Sequence, residues 1–237
     1  MNSNDNKTAL VTGGSKGIGY GVAKSLLNMG YKVAITSRSL QAAEKAADKL
    51  KGYGEILPLE ADVRNYDSQQ KAVTKLIDQW GQLDVLIANA GIGHFGSVEE
   101  LTVEQWQETI DTNLTGVFYS VKSSIDALKK SEGYIISISS LAGTNFFAGG
   151  AAYNASKFGV TGFSQAVMLD LRDKGVKVST IMPGSVATYF NDNEPGENDE
   201  WKIQIEDIGE LVKDLLTINP RTLPSKIEVR PSRPPKK

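Results

Sequence analysis

No cysteine occurs among the 237 residues, which excludes disulfides, thiolate chemistry and cysteine-ligated zinc. Histidine occurs once, at His94, too few for a histidine-based metal cluster. Charge of either sign is not in excess: Lys+Arg 26 against Asp+Glu 28 leaves a formal net charge of -2, and so no basic field for nucleic acid. No apolar run approaches the roughly 20 residues that a membrane helix requires. The opening Met1-Asn2-Ser3-Asn4-Asp5-Asn6 is polar where a signal peptide would be apolar. No repeat or low-complexity block divides the chain before its Pro/Lys-rich end. The expectation is a single cytoplasmic domain spanning 1–237, without nucleic-acid or membrane partners, that works through oxygen and nitrogen groups or a bound cofactor.

What is present is alternation. Strand-like runs at 8–12, 32–36, 55–59, 85–88, 134–139, 177–182 and 227–229 are separated by helical patterns at about 17–28, 40–51, 68–80, 103–128, 152–173 and 206–216. Continuous apolar strands joined by helices read as a parallel sheet covered on both faces. The expected fold is therefore a Rossmann-type doubly wound α/β sheet of about seven strands, with ligands beyond the carboxyl ends of its strands. The polar stretch at about 189–201 has the composition of a flexible lid, and the basic tail at about 231–237 that of a disordered segment.

The first strand runs into Thr12-Gly13-Gly14-Ser15-Lys16-Gly17-Ile18-Gly19, directly ahead of a helix. Glycines at Gly13, Gly17 and Gly19 permit a tight turn and let the backbone approach a pyrophosphate, which the helix N-terminus attracts. After the second strand comes Thr36-Ser37-Arg38-Ser39. An NAD site places an acidic residue there, about 20 residues past the glycines, to bind the ribose hydroxyls, and none is present. Arg38 instead offers a donor fork for a 2′-phosphate, with Lys16 as a second cation and Ser37 as a hydrogen-bond donor. NADP(H) is expected over NAD(H).

Further along, each strand end contributes a feature. Asp62, followed by Val63, ends the third strand within reach of an adenine ring, and Asn89-Ala90-Gly91 provides small residues that let a ligand lie against the backbone. Asn113, close to Gly116, interrupts the long helical pattern where a local kink is expected. Ser140 closes the fifth strand, and Pro183-Gly184-Ser185-Val186-Ala187-Thr188 turns the chain after the sixth. Tyr153 and Lys157 stand four apart on a helical pattern and share a face. A cation held beside a phenol favours the phenolate and draws its pKa toward the working range. Taken singly, each feature also has a bland reading: turn glycines, a capping Asp, a solvated Arg, a surface Tyr/Lys pair.

In this order and at these separations, the glycine loop, Asp62, Asn89-Ala90-Gly91, Asn113, Ser140, Tyr153-x-x-x-Lys157 and Pro183-Gly184 resemble the short-chain dehydrogenase/reductase family across nearly the whole chain. The resemblance implies a nicotinamide-dependent oxidoreductase acting on a small-molecule carbonyl/alcohol pair. By it, Tyr153 is the general acid in reduction, Ser140 hydrogen-bonds the carbonyl oxygen, and Lys157 lowers the tyrosine pKa and holds the nicotinamide ribose. Asn113 then supports a water that links Lys157 to solvent. The same resemblance puts Ser15, Lys16, Ile18 and the loop glycines at the cofactor, with Asp62 and Val63 near adenine. Asn89, with Ala90 and Gly91, falls beside the adenosine ribose, and Pro183, Gly184, Val186 and Thr188 near the nicotinamide. Ser140, not its neighbour Ser139, has the family spacing to Tyr153, and successive side chains of an extended segment point opposite ways.

The chain departs from many members at its end, where Asn219-Pro220-Arg221-Thr222-Leu223 replaces a glycine-rich segment containing Asp-Gly-Gly. That resembles the branch of broad-specificity alcohol and hydroxy-acid dehydrogenases more than a 3-oxoacyl-thioester (acyl-carrier-protein) reductase, which stays the alternative; a non-catalytic NADP-binding redox sensor is the third reading. Ile92, His94, Phe95, Leu141, Phe147, Tyr189 and Phe190 are the candidates for an apolar substrate pocket. The helical patterns at 103–128 and 152–173 resemble those that pair in family dimers, so a homodimer or homotetramer is expected.

Overall fold

The computed structural model describes residues 6–233. Seven parallel strands form one sheet in the order β3-β2-β1-β4-β5-β6-β7. They are β1 (Thr8–Val11), β2 (Lys32–Ser37), β3 (Ile56–Glu60), β4 (Val85–Ala88), β5 (Tyr134–Ile138), β6 (Lys177–Pro183) and β7 (Lys226–Val229). The helices are α1 (Gly17–Asn28), α2 (Leu40–Leu50), α3 (Tyr66–Trp80), α4 (Val103–Ile110), α5 (Gly116–Ser131), α6 (Ala151–Leu171) and α7 (Ile205–Thr217).

Consecutive strand residues point to opposite faces, and both faces are buried. Ala9, Val11, Val33, Ile35, Val85, Ile87 and Ile136 pack with Leu26 of α1, Leu50 of α2 and Val212 of α7. The residues between them, Leu10, Ala34, Leu86 and Ile135, pack with Leu76 of α3, Leu128 of α5 and Leu171 of α6. Burial on two sides is why the strands read as unbroken apolar runs. From β1 the chain winds outward through β2 and β3, then returns to place β4 on the other side of β1. The connections leave β1 and β4 in opposite directions, which opens a crevice at their carboxyl ends.

Helices α1 and α7 meet closely because glycines face each other. A Cβ on Gly21 would lie 2.6 Å from the Ile205 carbonyl oxygen, and Ser25 Oγ donates to the Gly209 carbonyl at 2.9 Å. Gly21→Val is expected to lower Tm by roughly 2–12 °C, since overpacking costs about 1–3 kcal/mol and a chain of this size loses about 2–4 °C per kcal/mol. An unchanged melting curve would show that α7 moves aside freely.

The structure differs from the sequence expectation at two helices. The helix expected over 103–128 is α4, a π-helical turn at Asp111–Thr115, and α5. The turn brings Asn113 inward, so the expected kink takes the form of one extra residue in the helical ladder. Helix α3 begins before residue 68 because the Asn65 side chain accepts from Ser68 N at 2.8 Å and sets the N-cap. Segment 189–201 contains two single turns, Phe190–Asp192 and Glu197–Asp199. Its base is closed by backbone bonds from Ile203 N to Ser185 O at 3.0 Å and from Ala187 N to Ile203 O at 2.9 Å. Of the tail expected at 231–237, residues 234–237 lie outside the described residues. Among the described residues, no helix is long and apolar enough to cross a membrane.

Candidate active site

The carboxyl edge of the sheet carries a cleft of ≈ 770 Å³. Its first wall is the turn from β1 into α1. Gly13 and Gly17 have φ of 65° and 59°, the left-handed region that glycine enters without steric cost. Thr12 Oγ1 accepts from Asn89 N at 3.0 Å and Ala90 N at 3.2 Å. In return, Asn89 Nδ2 donates to the carbonyls of Thr12 and Gly13 at 2.9 and 3.2 Å. Asn89 therefore acts first as a clamp between the β1 and β4 loops. A Cβ on Gly19 would meet that same Nδ2 at 2.5 Å. Helices α2, α3 and α4 are capped by the side chains of Ser39, Asn65 and Thr102. The N-cap of α1, Lys16, makes no side-chain cap bond, and this uncapped helix end borders the cleft.

A charged network occupies the second wall. Arg38 lies 3.8 Å from Glu108, Arg64 lies 3.4 Å from the same carboxylate, and His94 Nε2 lies 3.0 Å from its other oxygen. Arg64 also grips Asp62 through Nε and a terminal nitrogen, the shortest bond being 2.7 Å. The side-chain bond from Arg64 holds the Asp62 carboxyl below its usual range, against the opposing effect of burial. Neither Arg64 nor Glu108 stands out in the sequence. The one available signal was Asp62-x-Arg64, a spacing at which Asp accepts the backbone N–H two residues on, here at 3.0 Å. His94 is partnered by Glu108 and so is not a free loop histidine.

The third wall joins β5 to α6. Ser139 is turned inward, bonding Thr161 Oγ1 at 3.0 Å and the Lys157 carbonyl at 3.1 Å. Ser140 faces the cleft, accepts from Ala142 N at 3.1 Å, donates to the Pro183 carbonyl at 3.4 Å and stands near enough to the Tyr153 phenol to lower its pKa. Lys157 is 4% exposed; its Nζ donates to the Ile138 carbonyl at 3.0 Å and lies 5.7 Å from the centre of the Tyr153 ring. Burial pushes the Tyr153 phenol up, Ser140 opposing it, and the same burial pushes Lys157 down to about 8. The lowered tyrosine pKa expected from the lysine is thus not the state of this structure, because desolvation penalises both charged forms. Asn113 is fully buried. Its Oδ1 accepts from Ile92 N at 2.8 Å, and its Nδ2 donates to Ile92 O at 2.8 Å and Ser156 Oγ at 3.0 Å. Asn113 Oδ1 and Lys157 Nζ converge on Gly91, where a Cβ would stand 3.3 and 3.6 Å from them.

Pro183, Gly184, Val186 and Thr188 line the fourth side, with Tyr189 and Phe190 at the mouth. Of the site residues expected from the sequence, Gly13, Ser15, Lys16, Gly17, Ile18, Ser37, Arg38, Asp62, Val63, Asn89, Ala90, Gly91, Ser140, Tyr153 and Lys157 also line this one cleft. Gly19 and Asn113 stand one layer behind it. Ser140→Ala is expected to depress turnover more than Ser139→Ala in any activity assay; the opposite order would transfer the assignment to Ser139.

The doubly wound sheet with a glycine turn at its switch point defines a Rossmann-type protein. A family model described as short chain dehydrogenase matches residues 7–199. A 3-oxoacyl-[acyl-carrier-protein] reductase of Synechocystis sp. is 38% identical over 79% of this chain and 77% of its own length. A trans-4-hydroxycyclohexanecarboxylate dehydrogenase of Sinomonas cyclohexanicum is 38% identical over 77% of this chain and 73% of its own. Among solved structures, an alcohol dehydrogenase from the archaeon Thermococcus sibiricus, complexed with 5-hydroxy-NADP, superposes with a TM-score of 0.90 at 29% identity, covering 98% of this chain and 99% of that one. The chain belongs to the short-chain dehydrogenase/reductase family of oxidoreductases.

Proposed function

We propose that the chain is an NADP(H)-dependent oxidoreductase that interconverts a ketone or aldehyde and its alcohol. The observation that carries this reading is the meeting of Ser140, Tyr153 and Lys157 in the same cleft as the glycine turn and Arg38. The residues fit a dinucleotide: the α1 N-terminus is uncapped, and the turn is kept clear by glycines. Thr112, a cleft residue, keeps a buried hydroxyl without a partner. Gly13, Ser15, Gly17 and Ile18 would hold the pyrophosphate, with Gly19 keeping the turn close to Asn89. Lys16, Ser37 and Arg38 would hold the 2′-phosphate, Asp62 and Val63 the adenine side, and Asn89, Ala90 and Gly91 the adenosine ribose. Pro183, Gly184, Val186 and Thr188 would enclose the nicotinamide end. When bound, the nicotinamide supplies or accepts the hydride.

The chain's own groups handle the proton and orient the carbonyl. In the reductive direction Tyr153 Oη–H is donated to the carbonyl oxygen while Ser140 Oγ–H holds that oxygen in place. A phenol raised above its ordinary pKa is fully protonated at neutral pH, which favours its use as the acid. Lys157 would offset the phenolate as it forms, and Asn113 would support a water for the proton's return.

With Lys157 at about 8 in the folded protein and about 10.4 in an unfolded chain, the ammonium is lost first in the folded state. Reductive kcat/KM is therefore expected to fall as pH rises through about 8, which a pH-rate profile of the free enzyme would read. Over about 8 to 10.4 the unfolded state binds more protons, so this group's contribution to stability rises with pH.

Oxidation of NADPH against a carbonyl panel, with NADH as control, tests the reading; tight NADPH binding without turnover would favour a redox sensor. The name of the Synechocystis relative supports a second reading, reduction of 3-oxoacyl thioesters, which activity on acyl-carrier or CoA thioesters would establish. Phe118 on α5 with Phe158 and Leu169 on α6 are exposed apolar residues and support a homodimer through these helices. A monomer in light scattering at micromolar concentration would overturn that.

A further inference from the structure

We infer that the substrate is an uncharged aryl ketone, or the matching aryl carbinol, seated among Phe95, Phe147 and Phe190. The inference rests on the carbonyl/alcohol reading and names the substrate class for that site. Three loops from three successive strands each contribute one phenyl ring: Phe95 after β4, Phe147 after β5 and Phe190 after β6. Around the Tyr153 ring, Phe95 lies at 5.3 Å and Phe190 at 5.6 Å between centroids; Phe95 lies 6.0 Å from Phe147 and 6.3 Å from Phe190. These separations lie in the range of tilted and edge-to-face aromatic pairs. Such an arrangement accepts a further flat ring beside the phenol.

The rings are seated by the backbone. A Cβ on Gly93 would come within 2.7 Å of the Phe95 ring and 2.8 Å of the Phe190 ring, and a Cβ on Gly150 within 2.7 Å of the Phe147 ring. The two loops carrying Phe95 and Phe147 are tied by the bond from Gly96 N to Gly149 O at 2.9 Å. Yet Phe95 is 41% and Phe147 49% exposed, so apolar ring surface of fixed position faces solvent beside the phenol. Covering it is work that a flat apolar substrate does.

Charge argues against an anionic thioester. Between 189 and 201 the sequence has no Lys or Arg, while Asp192, Glu194, Glu197, Asp199 and Glu200 are acidic. The adjacent Lys202 is paired with Asp199 at 2.7 Å. The phosphates of a CoA or carrier-bound thioester entering beside Phe190 meet this acidic segment, whereas a neutral ketone meets no such opposition. In reduction the ketone carbon would gain the hydride supplied by NADPH and its oxygen the Tyr153 proton, leaving the carbinol, NADP+ and a Tyr153 phenolate that regains its proton from solvent.

The test compares NADPH oxidation by the full chain with acetophenone, 2-butanone and acetoacetyl-CoA. The expected result is a kcat/KM for acetophenone at least about tenfold above the other two, the scale of one well-made aromatic contact. Phe95→Ala and Phe190→Ala are each expected to raise the acetophenone KM about tenfold and to move the 2-butanone KM much less. Phe95→Leu and Phe190→Leu keep apolar bulk if the alanine variants fail to fold, and are expected to show the same selective loss in smaller degree. Equal or better use of acetoacetyl-CoA, or losses shared equally by both ketones, would overturn the substrate class while leaving the oxidoreductase reading intact. No turnover of any of the three, nor of a wider carbonyl panel, would overturn the oxidoreductase reading and this inference with it.

Discussion

Tyr153→Phe is expected to lower turnover by roughly 10²–10⁴-fold, the usual worth of one positioned proton donor, while NADPH affinity changes only a few-fold. The substitution removes a single oxygen. The ring remains, so its contacts with Phe95 and Phe190 at 5.3 and 5.6 Å persist and the mouth of the cleft keeps its shape. Ser140 loses the phenol but retains the bond from Ala142 N at 3.1 Å and its own donation to the Pro183 carbonyl at 3.4 Å, so its position is not set by Tyr153 alone. Burial raises the phenol's pKa, so the hydroxyl lost is a protonated one that stabilises no folded-state charge, and a small change in Tm is expected. Steady-state turnover beside a fluorescence titration with NADPH separates chemistry from binding. Near-normal turnover would remove Tyr153 from the mechanism.

Arg38→Ala is expected to weaken NADPH binding by about 10- to 150-fold and to leave NADH within a few-fold. A charge-assisted hydrogen bond is worth about 1.5–3 kcal/mol, at about 1.4 kcal/mol per factor of ten. Two features of the structure bear on the size. Glu108, 3.8 Å from Arg38, would be left with one guanidinium fewer, so its carboxylate would add repulsion toward a 2′-phosphate. Arg64, 3.4 Å from the same carboxylate, stays behind and caps the loss. Because Arg38 is largely exposed, added salt is expected to narrow the gap between the two cofactors. Wild-type kinetics with NADH equal to or better than NADPH would overturn the assignment of Arg38.

Particular residues show how far the sequence could be read. The strands were legible because an apolar run needs no partner to be recognised, and the glycine turn because its geometry is local. Tyr153 and Lys157 were legible as a pair because four residues on a helix is a covalent distance. Their electrostatics were not: the sequence places a cation near a phenol, but only the structure shows how deeply both are buried, and burial reversed the expected direction of the tyrosine shift. Asn113 was legible as an interruption of a helix, whereas its bonds to Ile92, 21 residues away, were not.

By itself the sequence determined the elements, the residues at each strand end and the family that their order defines, since these follow from periodicity and covalent spacing. Only the tertiary structure decided which side chains from different crossovers meet. Glu108 joins Arg64, 44 residues distant in sequence, and Phe95 and Phe190 meet Tyr153 from two separate loops, with Phe147 of a third against Phe95. The physical reason is that periodicity says which face of an element is apolar, while strand order and the returning path of the chain bring separate loops to one edge of the sheet.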